Sequence, residues 1–236
     1  MNGELWVFDG IAGSGKSTML RAKADALRKE GRRVFELSTW EMTEPHSPRF
    51  EEVRDHDVFF TYEPTRRWIG AAIRHELSRD DSKAYDGKTV AQAFAADRFV
   101  AYRRLIVPAL EAGKLVMQDR GVSTSIVCQP IMPSGYLLEE ILALPGNAFA
   151  LRYAPKHLVI THLPPEMAVA RQKARDDESR GVFSDLGFLK RVQERFLSDW
   201  FRTLFEHCGT TVHLLDTSAD LETVKKQAAE LLLRLT

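Results

Sequence analysis

Residues 4–18, ELWVFDGIAGSGKST, constrain this chain more than any other stretch. Glu4 to Asp9 is a short apolar run ending in an acid. Gly10, Gly13 and Gly15 follow, then Lys16, Ser17 and Thr18, and a helical pattern starts at once. The order is strand, glycine-rich turn, helix, with G-x-x-x-x-G-K-S running from Gly10 to Ser17. Glycines in such a turn let backbone N–H groups converge on a phosphate with no Cβ in the way. The helix N-terminus adds a partial positive charge. Gly10, Gly13, Ser14, Gly15, Lys16, Ser17 and Thr18 are therefore the expected cradle of a nucleoside triphosphate. Lys16 reaches its β- and γ-phosphates, and the Ser17 hydroxyl holds Mg²⁺. A glycine turn capping a core helix is the plainer alternative, and the strand before and helix after weigh against it. The motif alone does not separate a kinase from a switch or a motor.

The 236 residues suit one sizeable α/β domain spanning 1–236. Apolar content of 44% and charged content of 28% are those of a globular chain. With 33 basic and 33 acidic residues the formal net charge is zero, which argues against a nucleic-acid or membrane partner. Cys128 and Cys208 lie far apart and form no metal-ligand spacing, so reduced thiols in the cytoplasm are expected. No leader is expected, because Glu4 already opens a core strand. No apolar run approaches the ~18 residues of a membrane span.

Along the chain, a helix is expected from Lys16 to about Glu30, stopping at Gly31. Arg33–Ser38 reads as a strand. The polar, proline-containing stretch 40–57 reads as a loop or partial helix. Val58–Tyr62 is a short strand-like run ending at Glu63-Pro64, and a helix follows from about Thr65 to Ser78. Residues 79–87 read as a mobile loop ending in Gly87. Thr89–Glu111 is the longest helical pattern, with Phe94, Ala101 and Leu105 on one seam and a kink expected at Pro108. Arg98, four residues from Phe94, falls on that same seam, where it either needs a partner or is a solvated surface charge, and spacing alone does not separate the two. Lys114–Asp119 is a buried strand ending in an acid, which beside a phosphate loop can order Mg²⁺. Arg120 follows it, and a guanidinium matches phosphate with a bidentate fork. His157–Leu163 and Thr211–Asp216 are further strands. Pro165–Arg175 is a helix with Arg171 and Arg175 one turn apart, and Phe188–Phe205 reads as one long helix. Leu221, Val224, Ala228, Leu231 and Leu235 form the core stripe of a last helix.

This alternation implies a five-stranded parallel sheet with helices on both faces. Ligands then gather at the C-terminal strand ends, where Gly10–Ser17, Glu63 and Asp119–Arg120 converge.

Six stretches carry a resemblance to a known family: DGIAGSGKST, EPTRRWIGAAIRHEL, AFAADRFVAYRRLIVPALEAGKLVMQDR, STSIVCQ, LPPEMAVARQKAR and FLKRVQERF. Together they make the chain similar to the thymidylate kinases, within the P-loop nucleoside monophosphate kinases. The likeness covers nearly the whole length except about 40–57. It implies a P-loop kinase fold with a lid at about 171–184, ATP and Mg²⁺, a homodimer, and phosphorylation of a pyrimidine deoxynucleoside monophosphate, with dTMP to dTDP the leading reaction. By position it implies that Phe94 stacks on the pyrimidine and that Arg98 bonds the base edge or the acceptor phosphate. Arg120 grips that phosphate, and Asp119 works near Mg²⁺. Glu63 lies on the acceptor side, and Ser125 and Gln129 contact base and sugar. Arg171, Arg175 and Arg180 belong to a lid that closes over ATP, and the catalytic arginine comes from that lid because the phosphate loop has none.

The chain departs from the family pattern at Ala12 (usually an acid), Tyr62 (usually arginine), Gly121 (usually aromatic or histidine) and Cys128 (usually the tyrosine beside the sugar 2′ position). These departures gather on the acceptor side. A deoxynucleoside kinase is the nearest alternative, because Glu63-Pro64 and Trp68 fit a pattern in which the glutamate is the general base for a sugar hydroxyl. A kinase of modified pyrimidines and a nucleotide-binding module without transfer chemistry are further alternatives.

Overall fold

In the computed structural model, which describes residues 3–78, 85–174 and 185–235, six parallel strands form one sheet. They are β1 (Glu4–Gly10), β2 (Val34–Glu36), β3 (Val58–Tyr62), β4 (Leu115–Asp119), β5 (His157–His162) and β6 (Thr211–Asp216), in the spatial order β2-β3-β4-β1-β5-β6. The sheet thus has six strands where five were expected. The short run at 58–62 is a full member, pairing Phe59 with Phe35 on one side and with Val116 on the other. Val58 and Phe59 are both completely buried, as a strand covered on both faces requires.

Successive side chains of a strand point to opposite faces, and the two cores follow that alternation. Leu5 and Val7 pack with Phe59, Val116 and Leu158 under Val90, Leu105, Leu110, Phe201 and Phe205. Trp6 and Phe8 pack with Val58, Phe60 and Met117 under Leu20, Ala24, Leu27, Ala228 and Leu232. The helices Lys16–Lys29 and Leu221–Leu235 therefore cover one face, and Gly87–Ala101 and Asp199–His207 cover the other. From β1 the chain winds first toward β2 and later toward β6, so a crevice opens outside the C-terminal end of β1.

Several boundaries differ from the sequence reading. Strand β2 is short, and the chain turns directly into a helix at Leu37–Thr43 and a single turn at Phe50–Val53. The helix after Glu63-Pro64, a cis peptide bond, starts only at Trp68 and widens to π geometry over Ile73–Leu77. The long helix starts at Gly87, because the Asp86 carboxylate caps it by accepting the Thr89 N–H at 2.7 Å. It is α to Ala101, π over Tyr102–Ile106 and α again over Val107–Glu111. Pro108, which has no N–H to give the turn before it, stands directly after this wide turn. The expected helix 188–205 is two, Leu186–Phe196 and Asp199–His207. At the break the Ser198 hydroxyl donates to the Arg195 carbonyl at 2.6 Å. Two helices, Leu138–Ala143 and Pro145–Arg152, fill a stretch to which no element was assigned.

Candidate active site

The glycine-rich turn joins β1 to the first helix. Gly10, Gly13 and Gly15 all have positive φ, at 136°, 82° and 92°. A Cβ at Gly10 would lie 2.2 Å from the Thr161 carbonyl oxygen, and one at Gly13 would lie 2.5 Å from that of Ala168. The sequence needs glycine here for close approach as well as for φ. Ser14 Oγ shares a 2.6 Å hydrogen bond with Thr161 Oγ1, tying the loop to β5. Lys16 is buried and folds back over the loop, donating to the carbonyls of Gly10 at 3.0 Å and Ile11 at 2.9 Å and to Ser14 Oγ at 3.2 Å. Burial, helped by the nearby Arg120 guanidinium and opposed by Asp119 and Asp9, lowers its pKa to about 7.

Asp9 is a hub that the sequence marked only as a strand-end acid. It is fully buried and accepts from the Gly10 N–H at 2.8 Å, Ser123 Oγ at 2.6 Å and Thr124 Oγ1 at 2.7 Å. Arg120 leans on the same group, with Nη1 3.4 Å from Asp9 Oδ1 and 3.1 Å from the Gly10 carbonyl. Its backbone has φ 66°, a left-handed conformation that β-carbon sterics disfavour. Arg120 thus comes from the end of β4 to lie against the phosphate loop, its side chain 26% exposed.

Ser17 and Asp119, from different elements, also meet. The Ser17 hydroxyl donates to Asp119 Oδ2 at 2.5 Å. Asp119 Oδ1 is buried and has no hydrogen-bond partner among the described residues. A buried carboxylate oxygen without a donor fits a cation or its waters. Among the described residues there is no cluster of three His, Cys, Asp or Glu able to hold a metal. Mg²⁺ needs no such cage, because it binds through one or two carboxylates together with substrate phosphates.

Across the crevice, Arg98 finds a buried partner. Its Nε lies 2.9 Å and its Nη2 2.6 Å from Glu63 Oε2, and both groups are buried. Nη2 also donates to Ser125 Oγ at 2.9 Å and the Gly121 carbonyl at 3.2 Å, and Nη1 donates to Asn147 Oδ1. Nε, Nη1 and Nη2 of Arg98 thus each meet a protein acceptor, and the side chain is buried. Glu63 Oε1 further accepts from Gln118 Nε2 at 2.9 Å. Burial pushes the Glu63 carboxyl up, and the Arg98 guanidinium opposes the shift. Phe94 is partly buried against the same core, one turn from Arg98. Ser125, Cys128 and Gln129 are buried on Val122–Cys128 and the short turn after it, and Gln129 Oε1 has no hydrogen-bond partner among the described residues. Burial pushes the Cys128 thiol up to about 12, so it stays protonated and unreactive.

The remaining expected residues separate. Arg171 donates to the carbonyls of Thr217 at 2.9 Å and Ala219 at 3.2 Å, on the turn after β6. Its guanidinium therefore ties the helix Pro165–Ala174 to that turn in this structure. Arg175 and Arg180, with lid residues 175–184, lie outside the described residues. Gln172, which the sequence reading passed over, touches the phosphate loop by donating to the Ala12 carbonyl at 3.1 Å.

Comparison with known proteins decides the family. The family model described as thymidylate kinase matches residues 47–228. This chain belongs to the thymidylate kinase family. The match begins beyond the glycine-rich turn, so the phosphate loop is evidence independent of it. Among curated relatives, the thymidylate kinase of Geobacillus thermodenitrificans is 29% identical over 95% of this chain and 87% of its own. That of Caldicellulosiruptor saccharolyticus is 30% identical over 83% and 82%, and that of Bacillus licheniformis 27% over 96% and 93%.

Against the thymidylate kinase pattern, the acceptor-side departures have physical settings. A Cβ at Gly121 would lie 3.3 Å from Val7 Cγ1 and 3.5 Å from Gln118 Nε2, so this chain packs its strand closely where the family carries a large ring. Tyr62, in place of arginine, is flanked by arginines: the Arg74 and Arg66 guanidiniums lie 5.3 Å and 5.7 Å from its ring centre.

Proposed function

We propose that this chain transfers the γ-phosphoryl group of ATP to dTMP, yielding ADP and dTDP. A phosphate oxygen of dTMP forms the new bond to the γ-phosphorus while the bond to the β–γ bridging oxygen breaks. Such a transfer asks the protein mainly for positioning and charge stabilisation.

The placement of Arg120 is the observation that carries this reading. It leans on Asp9 and Gly10, beside Lys16, with its side chain 26% exposed. A second cation on the acceptor side of a phosphate loop matches an acceptor that already bears phosphate. A nucleoside lacks that group. Glu63 also weighs against a nucleoside kinase, because its carboxylate is buried and bonded to Arg98 and Gln118 and is no free general base.

The residues take the following roles. Gly10 through Thr18 hold the ATP phosphates, with Lys16 on the β- and γ-phosphates. Ser17 and Asp119 would hold Mg²⁺, which neutralises charge building up on the phosphates. Phe94 stacks on the pyrimidine, and Ser125 and Gln129 face its polar edge and the sugar, with Cys128 beside the sugar. The orphaned Gln129 Oε1 supports this, as an acceptor suited to a base N–H. Arg98 holds Glu63 and Ser125 in that wall. Arg175 and Arg180 supply lid cations and Arg171 sits at the ATP end, roles that rest on the family resemblance alone. So does a homodimer, which light scattering at micromolar concentration tests. Free thiols at Cys128 and Cys208 suit the cytoplasm.

The deciding experiment is kcat/KM with ATP and Mg²⁺ for dTMP, dUMP, UMP, dCMP, 5-hydroxymethyl-dUMP and thymidine. dTMP should lead. Preference for thymidine would establish a nucleoside kinase, and preference for 5-hydroxymethyl-dUMP a kinase of modified bases.

A further inference from the structure

The stretch 40–57, within which the family match opens at residue 47, is bound to the loop that leaves β3. Glu41, on the helix Leu37–Thr43, is buried and aims its carboxylate at the segment leaving β3. One oxygen accepts the Tyr62 hydroxyl and the other the Arg66 backbone N–H at 3.0 Å. Arg67 Nη2 donates back to the carbonyls of Glu41 and Glu44. Farther along, the Ser47 carbonyl accepts from Arg104 Nη2 at 2.7 Å. The loop from Tyr62 to Arg67 is thus gripped on one flank by Glu41 and its neighbours. On the other flank Asp97 accepts from Thr65 N and Oγ1 at 2.8 and 2.7 Å. Between these two grips lies Glu63, the anchor of Arg98 and so of the acceptor wall. Glu41, Tyr62, Glu63 and Asp97 all line one pocket, together with Ser47 and Arg104.

We propose that Glu41 is a positioning residue for the nucleotide acceptor, acting through Tyr62 and the Glu63–Arg67 loop. This rests on the reading of that side of the crevice as the acceptor site. The Tyr62 phenol is held far above its usual range by burial and by the Glu41 bond, so it stays a donor. Loss of the carboxylate charge weakens two bonds at once and leaves partly buried donors short of an acceptor. The loop then samples other positions, Glu63 and Arg98 move with it, and the acceptor binds less well. The phosphate loop has its own supports in Asp9 and Thr161, so ATP binding is spared. The tyrosine at 62 and the helix Leu37–Thr43 therefore form one device, in which Glu41 matches the phenol that stands where the resemblance implies arginine.

The test is steady-state kinetics on Glu41→Gln, Tyr62→Phe and the double variant, with thermal melting alongside. Wild-type turnover of the acceptor panel is measured first, so a failure of the dTMP reading shows there. The variants are then assayed on whichever acceptor the wild type uses best. For Glu41→Gln the acceptor KM should rise about tenfold, equivalent to roughly 1.4 kcal/mol, with kcat and the ATP KM within about twofold. Tyr62→Phe should show the same split at smaller size. The double variant should match Glu41→Gln instead of adding to it, because both changes break one connection. An unchanged acceptor KM in folded Glu41→Gln would overturn the proposal, as would equal increases in both KM values. If Glu41→Gln does not fold, Tyr62→Phe decides: the split supports the proposal and wild-type kinetics refute it.

Discussion

Arg98 and Glu63, 35 residues apart in sequence, form a buried ion pair in which Nη2 lies 2.6 Å from Oε2. Breaking such a pair leaves an uncompensated charge in the interior and costs about 3–5 kcal/mol. Arg98→Met alone should therefore lower the melting temperature by on the order of 10 °C for a chain of this size. Adding Glu63→Gln should recover part of the loss, because the stranded charge is gone. Circular-dichroism melts of the two variants check this, and equal stability of both would count against it.

The meeting of Ser17 with Asp119 predicts a metal-dependence phenotype. Asp119→Asn keeps the shape but removes the charge at the orphaned Oδ1. Half-saturating Mg²⁺ should rise on the order of 10–100-fold, with little change in the dTMP KM. Titration of activity with Mg²⁺ at saturating substrates measures it. An unchanged Mg²⁺ requirement would remove Asp119 from the assignment.

Lys16 carries a pH prediction. Burial draws its pKa down to about 7 without ligand, so the ammonium that bonds Gly10, Ile11 and Ser14 gives way to the neutral amine as pH rises through that value. Bound polyphosphate favours the charged form, and ATP should therefore bring in close to one proton per site at pH 8. At pH 6 the amine is already charged and the uptake on its account should vanish. Calorimetry in buffers of different ionisation enthalpy reads this directly. No uptake at pH 8 would show that Lys16 is charged before ATP arrives.

A second pH effect lies at the opposite edge of the sheet. His157 Nδ1 and His213 Nε2 are 3.1 Å apart, with Glu4, Trp6 and Lys156 around them. Burial lowers both pKa values below 6.5, and for His157 the neighbouring His213 and Lys156 add to that while Glu4 opposes. The unfolded chain then takes up protons first as pH drops, so the neutral pair's contribution is intact above about 6.5 and lost below it. The melting temperature should fall from pH 7 to pH 5.5, and His213→Asn should make that fall shallower. The same slope in both proteins would contradict this.

What the sequence made legible follows from range. The Gly10–Ser17 motif is contiguous, and each residue's demand on the backbone is local, so loop, strand and first helix could all be read. Arg98 was recognisable as a charge on a core-facing seam, but Glu63 lies 35 residues away beyond the helix Trp68–Ala72, and spacing along one helix cannot reveal it. Asp9 looked like any strand-end acid until Ser123, Thr124 and Arg120 closed around it. Val58–Tyr62 was too short to distinguish from a buried turn without its neighbours in the sheet. Asn147 and Glu41 sit on short helices whose periodicity is weak, and their roles appear only through contacts 49 and 21 residues away.

The most direct test of the account is a competition. Wild-type protein is given ATP, Mg²⁺ and equal dTMP and thymidine, and the products are followed by ³¹P NMR with chromatography of the nucleosides. The account predicts dTDP and ADP appearing in equal amounts while thymidine stays intact. Consumption of thymidine ahead of dTMP, or ADP forming without dTDP, would contradict it.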